Sequence, residues 1–165
     1  MNIEWANMQE GEWSLYLART EKGLCYIGSD PEFKDFERSL KKYIPAAVLV
    51  ENKAALQPYM MELQEFLLGK RQIFSMDLDV KGTPFQEEVW EALTQIPYGK
   101  TVSYSDIAEK INRPQAVRAA GKAIGANPLL IAVPCHRVIG KNGAITGYRG
   151  GIEMKHHLLE LEKQG

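Results

Sequence analysis

The sequence predicts an α/β domain with a small antiparallel sheet in residues 1–81, followed by a mostly α-helical domain with a helix-turn-helix in residues 82–165. Strand-like and helix-like apolar patterns are mixed before Lys81-Gly82, whereas helical spacing dominates after it. In the second part, two short helical segments are joined by a tight turn, as in a helix-turn-helix. A length of 165 residues suits one or two small domains and is ample for a packed core.

The N-terminal domain contains a β-hairpin signal. EWSLYLART and GLCYIGS are strand candidates, and Glu21-Lys22-Gly23 supplies the turn between them. A segment that starts at Pro31 has apolar residues at helical spacing, and IFSMDLDV alternates apolar and polar residues as a half-buried strand does. The predicted elements are strands 12–20 and 23–29, a helix over 31–44, strand 47–51, a helix over 58–68 that stops at Gly69, and strand 73–80.

The sequence of the C-terminal domain contains several signals for the start of a helix. Thr83 can cap a helix that begins at Pro84, and Gln86 completes the spacing of a capping box. Ser103, with Asp106 three residues later, predicts the start of a second, short helix. The predicted helix-turn-helix spans about 104–126, with its second helix beginning at Pro114, and a loop over 127–139 follows it.

The second helix of this motif combines three kinds of residue. Arg118 and Lys122, four residues apart, form a basic edge. Core spacing is predicted for Val117, Gly121 and Ile124, and a stripe of methyl groups is formed by Ala116, Ala119, Ala123 and Ala126. Such a stripe indicates either close helix–helix packing or a helix that approaches a nucleic-acid groove closely, as the second helix of a helix-turn-helix does.

The charge distribution separates the two halves although the whole chain carries only −1. Residues 1–82 contain 10 Lys/Arg and 13 Asp/Glu, whereas residues 83–165 contain 10 and 8. The window between residues 97 and 151 contains eight basic residues and only two acidic ones, Asp106 and Glu109. A local basic surface of this kind attracts phosphates even when the whole protein is slightly acidic.

Several classes of protein are disfavoured by the sequence. No apolar run approaches the length of about 20 residues that a bilayer span requires, and MNIEWANMQEGEW lacks the features of a signal peptide, so a cytoplasmic location is expected. In that reducing compartment, Cys25 and Cys135 are expected to remain free thiols. No zinc site is expected, because the chain has no C-x-x-C and its three histidines lie far from Cys25 in sequence.

An apolar run leads into Cys135, which is followed at once by His136 and Arg137. One interpretation is that Cys135 is a buried cysteine with only a structural role. A reactive thiol is the alternative, because cationic neighbours and an adjacent base favour the thiolate, the form that acts as nucleophile. Glu162, on a helical segment near the C-terminus, is a candidate for orienting the His136 ring.

The stretch from GTPFQEEVW to GYRGG closely resembles the O6-alkylguanine-DNA alkyltransferases, also called methylated-DNA–protein-cysteine methyltransferases. Their P-C-H-R-V signature corresponds to residues 134–138, and the resemblance covers residues 83–163. It implies a ribonuclease H-like N-terminal domain and a C-terminal domain for DNA binding and alkyl transfer. The pattern is closer to the bacterial constitutive type than to the adaptive-response fusion, since no second, zinc-bearing domain is attached.

The resemblance also implies residue roles. Cys135 would accept the alkyl group, His136 would activate it through a water, and Glu162 would hold His136. Asn127 would brace the turn before the active-site loop, and Tyr104 would donate to guanine N3. Arg118 would fill the gap left by a flipped nucleotide, from a helix placed in the minor groove. Further DNA contacts are expected from Ser103, Gln115, Ala116, Ala119, Lys122 and Ala126, and a substrate pocket from Pro134, Val138, Tyr148 and Arg149.

The expected function is repair of alkylated double-stranded DNA by irreversible transfer to Cys135, once per molecule and without a cofactor. The substrates would be O6-alkylguanine and O4-alkylthymine, and the protein would act as a monomer with no membrane partner. Two alternatives remain at this point. One is a helix-turn-helix protein that binds lesions without transfer, and the other is a cysteine hydrolase that uses Cys135, His136 and Glu162.

Overall fold

The computed structural model describes residues 1–165, which form two compact units, Met1–Lys81 and Gly82–Gly165. The first unit contains four strands and two helices, and the second contains four helices and two very short strands.

The first unit is built on a four-stranded sheet in the order β3-β2-β1-β4. Its strands are β1 Asn2–Glu10, β2 Trp13–Thr20, β3 Gly23–Gly28 and β4 Val48–Glu51. The predicted β2–β3 hairpin is confirmed, but the sheet is mixed, because β4 pairs in parallel with β1. The expectation of an antiparallel sheet is therefore wrong for β4. A helix lies between β3 and β4, and a connection of this kind lets the chain re-enter the sheet in the direction of β1.

Two helices cover apolar surface of this sheet. Helix α1 (Phe33–Lys41) buries Phe36 and Leu40 in a core cluster with residues of β1, β2 and β3. Helix α2 (Lys53–Leu67) packs on β1 and β2 and buries five side chains: Leu56, Met60, Leu63, Phe66 and Leu67. Burial of apolar side chains of this size is the main favourable contribution to the folding free energy of the unit.

Three features of the first unit differ from the sequence prediction. Strand β1 was not predicted, because two adjacent apolar residues interrupt its alternation of polar and apolar residues. Helix α2 begins at Lys53 rather than at Pro58: the Asn52 side chain accepts from Ala55 N, and Pro58 is exposed, where water can satisfy the freed carbonyl. Residues 73–80 form no strand beyond a single bridge between Leu24 and Leu78.

The second unit places a helix-turn-helix beside a short parallel strand pair. Its elements are α3 Pro84–Thr94, β5 Val102–Ser103, α4 Tyr104–Lys110, α5 Val117–Gly125, a 3₁₀ turn Cys135–Arg137, β6 Val138–Ile139 and α6 Ile152–Gln164. The capping box predicted at Thr83–Gln86 is present, and the helix start predicted at Ser103 is confirmed and also forms a capping box with Asp106. Helices α3, α4 and α5 pack against one another, and β5 pairs with β6 directly after the 3₁₀ turn.

Helix α5 differs from its prediction in start and in orientation. It begins at Val117, because residues 112–116 form a turn in which Asn112 adopts a left-handed φ of 61°. Its buried residues are Ala120, Ala123 and Ile124, and the carbonyl of Ala123 accepts from Trp90 Nε1 at 2.8 Å. Ala123 therefore belongs to the core and not to an exposed stripe, whereas Val117 and Gly121 are only half-buried.

None of the helices in either unit combines the length and the apolar character that crossing a bilayer requires.

Candidate active site

Cys135 begins the 3₁₀ turn that follows Pro134 and is 5% exposed. Its Sγ accepts a hydrogen bond from Asn127 Nδ2 at 3.2 Å. Burial raises the pKa of the Cys135 thiol above its ordinary value, and the Asn127 hydrogen bond and the charges of Arg149 and Lys155 act in the opposite direction. The resting thiol is therefore mainly protonated at neutral pH, and a reaction at sulfur requires that its proton be removed.

Asn127 holds the loop that leads to this thiol. Its Nδ2 donates to Val133 O at 2.8 Å and to Leu129 O at 3.3 Å, and its Oδ1 accepts from Leu129 N at 2.9 Å. Its own carbonyl accepts from Arg149 Nε at 2.9 Å. Through its side chain and its backbone carbonyl, Asn127 thus joins the end of helix α5, the active-site loop and the segment after β6. The family resemblance implies a bracing role for Asn127, which stays a prediction, and these contacts are compatible with it.

Ile131, in the middle of the same loop, is buried and has a φ of 73°. A β-branched residue in the left-handed region costs about 1–3 kcal/mol and persists only where surrounding contacts hold it. Here the Asn127 hydrogen bonds close the loop on both sides of Ile131. The path of the chain into Cys135 is therefore determined by packing and not by local preference.

His136, Arg137 and Glu162 form a buried charged cluster beside the thiol. Glu162 on α6 is 3% exposed, and its Oε2 lies 2.6 Å from His136 Nε2. Arg137 donates to Glu162 through Nε at 2.8 Å and through Nη2 at 3.0 Å, and its Nη1 donates to Ile96 O at 2.6 Å. A bidentate pair of this kind is the strong form of a carboxylate–guanidinium interaction.

Protonation states follow from these contacts. Despite burial, hydrogen bonds from His136 and Arg137 hold the pKa of Glu162 at about 2, so Glu162 is a carboxylate at neutral pH. Burial lowers the pKa of His136, although Glu162 opposes the shift, so the ring is neutral. Because a carboxylate only accepts, the His136 proton lies on Nε2 and Nδ1 is left as an acceptor. That Nδ1 atom is buried and has no hydrogen-bond partner in the protein.

A cavity of about 240 Å³ opens at Cys135. The cavity is bounded by helices α4 and α5 and by the segment after β6. The residues that line it are Tyr104, Gly121, Ile124, Gly125, Cys135, Gly147, Tyr148 and Arg149. The Tyr104 hydroxyl lies 2.5 Å from Thr146 Oγ1, which fixes its position at the cavity. Burial raises the pKa of Tyr148 well above its ordinary value, so its hydroxyl is protonated and neutral.

The structure brings together most residues of the predicted site. Cys135, Tyr104, Tyr148 and Arg149 line one cavity, and Asn127 donates a hydrogen bond to the thiol. His136 follows Cys135 on the same 3₁₀ turn. Pro134 and Val138 are buried on either side of the 3₁₀ turn and are not among the residues that line the cavity.

The predicted DNA-contacting residues occupy the surface of the helix-turn-helix. Gln115, Arg118, Ala119 and Lys122 are exposed, and Ala116 and Ala126 are half-buried. Ser103 caps α4, with its Oγ accepting from Asp106 N at 3.1 Å. Arg137, which was counted in the basic window, does not contribute to this surface, because it is buried and paired with Glu162.

Sequence reasoning assigned no role to Lys155, which is buried on α6. A signal was present: Lys155, Leu158 and Glu162 lie at i, i+3 and i+7, which places them on one face of a helix. A charged residue on the same face as Leu158 and the candidate site residue Glu162 is itself a candidate for a buried position.

Fold and site together define a class: a helix-turn-helix protein with a buried thiol at a small cavity beside its second helix. A family model described as "6-O-methylguanine DNA methyltransferase, DNA binding domain" matches residues 84–164. The chain is 54% identical to the inducible methylated-DNA–protein-cysteine methyltransferase of Bacillus subtilis, over 98% of this chain and 91% of that protein. It is 55% identical to the constitutive enzyme of the same organism, over 62% of each chain. The crystal structure of Mycobacterium tuberculosis OGT in complex with DNA is similar, with 36% identity, a TM-score of 0.82, and coverage of 99% of this chain and 94% of that one.

The chain belongs to the family of methylated-DNA–protein-cysteine methyltransferases. The expected assignment to this family is confirmed. Its narrower assignment to the constitutive type is not supported, because the inducible and the constitutive relative are equally similar in identity and the match to the inducible one is longer.

Proposed function

We propose that this protein repairs DNA by transferring the alkyl group of O6-alkylguanine directly to Cys135, once per molecule. The observation that carries the proposal is the position of a buried thiol at a cavity formed partly by the second helix of a helix-turn-helix. DNA is the partner that the family model and the related complex support.

The chemistry of the transfer suits a thiol. The alkyl carbon on O6 is saturated, so the thiolate attacks it in line with the C–O6 bond. A C–S bond forms as the C–O6 bond breaks, and the electron pair leaves with guanine, which takes up a proton. Sulfur is a strong nucleophile as thiolate, whereas a neutral hydroxyl is weak. The product is a thioether, which water does not hydrolyse, so each molecule acts once.

The buried cluster would remove the thiol proton. His136 Nδ1 is the free acceptor, and the proton of Cys135 would reach it through one bridging water. Glu162 holds the ring through Nε2 and stabilises the imidazolium that forms. Arg137 keeps Glu162 ionised, so the carboxylate does not take the proton itself.

The cavity would receive the alkylated base after it leaves the duplex. The Tyr104 hydroxyl, positioned by Thr146, would donate to guanine N3 and stabilise charge that develops on the leaving base. Tyr148 and Arg149 would form the wall of the base pocket. O4-alkylthymine presents a saturated carbon on a similar oxygen, and we infer that it is a second substrate.

The exposed side of the helix-turn-helix would bind the minor groove. Ala119 and the half-buried Ala116 and Ala126 allow close approach, whereas Gln115, Lys122 and Ser103 offer polar contacts to the backbone. Arg118, which is exposed on α5, would occupy the gap left by the flipped nucleotide. Flipping costs a few kcal/mol, and phosphate contacts and an inserted side chain offset that cost. We infer that one monomer suffices, and that the protein acts in the cytoplasm, where bacterial DNA lies.

The test is incubation with a duplex that carries one labelled O6-methylguanine, followed by mass spectrometry of the protein. We expect one added methyl group, on Cys135, and a plateau at one transfer per molecule. Label that stays on bound DNA would instead support a lesion-binding protein without transfer. Repeated turnover of an acyl substrate without a plateau would support a cysteine hydrolase.

Replacing Arg118 with alanine tests the proposed nucleotide flipping. We expect transfer from duplex DNA to slow about 10-fold or more, because no side chain then fills the gap that the flipped nucleotide leaves in the duplex. Transfer from free O6-benzylguanine, which needs no flipping, should stay within about twofold of the native rate. Single-turnover rates on the two substrates make the comparison.

Lys163→Ala is the matched control for Arg118→Ala. Lys163 is an exposed cation of the same unit that makes only a 4.0 Å ion pair with Glu160. Equal losses on both substrates in Arg118→Ala would argue against a role in the gap and for a general effect on the fold.

A further inference from the structure

Lys155 is a buried cation for which the proposed mechanism gives no role. Lys155 lies on helix α6 and is 1% exposed. No carboxylate oxygen lies within 4.0 Å of its ammonium group. Its one hydrogen bond is a long one, from Nζ to Gly147 O at 3.4 Å. A buried charge normally requires a close partner of opposite charge, so this arrangement calls for an explanation.

The nearby carboxylate is not available to Lys155. Glu162 lies two turns further along α6, and both of its oxygens are already bound by Arg137 and His136. The Arg137–Glu162 pair is neutral as a whole, so the site at rest holds the positive charges of Lys155 and of Arg149, which lines the cavity. Lys155 is the more deeply buried of these two cations, and a negative charge on Cys135 would compensate it.

Lys155 contacts the wall of the cavity that contains Cys135. Gly147, whose carbonyl accepts from Lys155, lines the same cavity as Cys135. Burial lowers the pKa of Lys155, and negative charge on Cys135 is what opposes that shift. Lys155 in turn lowers the pKa of the Cys135 thiol against the effect of burial. The other titratable or charged groups around Cys135 are His136 and Arg137 on its own turn, Glu162 on α6, Tyr104 on α4, and Tyr148 and Arg149 on the segment after β6.

We propose that Lys155 is the counter-ion of the Cys135 thiolate. It keeps its own proton throughout, and the thiol proton still goes to His136. Its charge stabilises the anion on Sγ until the C–S bond forms and the negative charge passes to the leaving base. The proposal rests on the proposed transfer to Cys135, and it adds a residue whose charge stabilises the buried thiolate together with the Asn127 hydrogen bond and Arg149.

The first test is the pH profile of single-turnover transfer at saturating duplex for Lys155→Met. We expect the acid limb of the profile to move up by about one to two pH units, because the thiol pKa rises when its counter-ion is lost. At pH 7.5 this corresponds to transfer that is about 10-fold to 100-fold slower, with the gap closing at alkaline pH. Lys155→Arg should restore most of the rate, and Lys163→Met, which removes an exposed charge from the same helix, should leave the profile unchanged.

A uniform loss at every pH that Lys155→Arg does not restore would overturn the proposal and leave Lys155 with a structural role. Urea unfolding and duplex affinity of each variant show whether the fold and DNA binding are retained.

A second measurement needs no substitution of Lys155 and no transfer from DNA. In protein labelled with ¹³C at the lysine Cε, the Lys155 resonance is followed with pH in the native chain and in Cys135→Ala. We expect Lys155 to lose its proton at lower pH in Cys135→Ala, because the anion that stabilises the ammonium is absent. Identical titrations would refute the counter-ion role even if alkyl transfer occurs. A shifted titration without transfer to Cys135 would contradict the proposed function alone.

Discussion

Replacing Cys135 with alanine is expected to abolish alkyl transfer while duplex affinity stays within about twofold of the native value. Sγ is the atom that forms the new bond, and no other group at the cavity is a nucleophile of comparable strength. The residues proposed to contact DNA lie on or just before α5 and at the start of α4, which the substitution does not touch. Transfer of labelled methyl groups and titration of a fluorescent duplex measure the two properties.

Cys25→Ala is the matched control for this experiment. Cys25 is a buried thiol of the first unit, and burial raises its pKa to about 12, so its thiolate is negligible at neutral pH. The variant should still accept one methyl group per molecule. A labelled Cys135→Ala chain, or label on Cys25 in the native protein, would refute the role of Cys135.

Replacing Glu162 with alanine is expected to produce the largest loss of stability. The change removes the partner of Arg137 and His136 and leaves a buried guanidinium without its carboxylate, which costs about 3–5 kcal/mol. Transfer should fall as well, because the His136 ring loses the group that fixes its tautomer. The free energy of unfolding from urea titrations and single-turnover transfer rates measure the two effects.

Glu162→Gln separates charge from shape, and the effect depends on pH. The folded-state pKa of Glu162 is about 2, below its unfolded value, so the carboxylate contributes stability that is present above about pH 4.5 and lost as the pH falls towards about 2. We therefore expect the native protein to be more stable than Glu162→Gln at pH 7, with a difference that shrinks as the pH approaches 3. A difference that stays constant between pH 7 and pH 3 would show that the ionised carboxylate is not what stabilises the cluster.

Local signals in the sequence predicted several elements correctly. The capping boxes at Thr83 and Ser103 depend on residues three positions apart, so the helix starts can be recognised without knowledge of the fold. The hairpin between β2 and β3 was recognised from its turn for the same reason. Strand β1 was missed, since the adjacent Trp5 and Ala6 interrupt its alternation of polar and apolar residues, and it becomes a strand by pairing with β2 and β4.

The orientation of α5 illustrates the limit of periodicity. Helix α5 has two sets of apolar residues at helical spacing, and either could form its buried face. One set contains Val117 and Ile124, and the other contains the alanines. Packing against α3, with the Trp90 hydrogen bond to the Ala123 carbonyl, buries Ala120, Ala123 and Ile124. In a helix rich in alanine and glycine, the buried face is decided by the neighbouring helices, because no single side chain is large enough to impose it.

The candidate thiol and its two proposed partners were recognisable in the sequence, since Cys135 and His136 are adjacent and Glu162 follows on a segment with helical spacing. The tertiary structure decided that Arg137 and Lys155 are buried, because the burial of a charge depends on groups distant in sequence. Arg137 became a partner of Glu162, 25 positions away, instead of part of a basic surface. Lys155 became a buried residue that donates to Gly147 in the wall of the cavity. Residue types and local spacing thus specify which chemistry is possible, and long-range packing determines the electrostatic environment in which it proceeds.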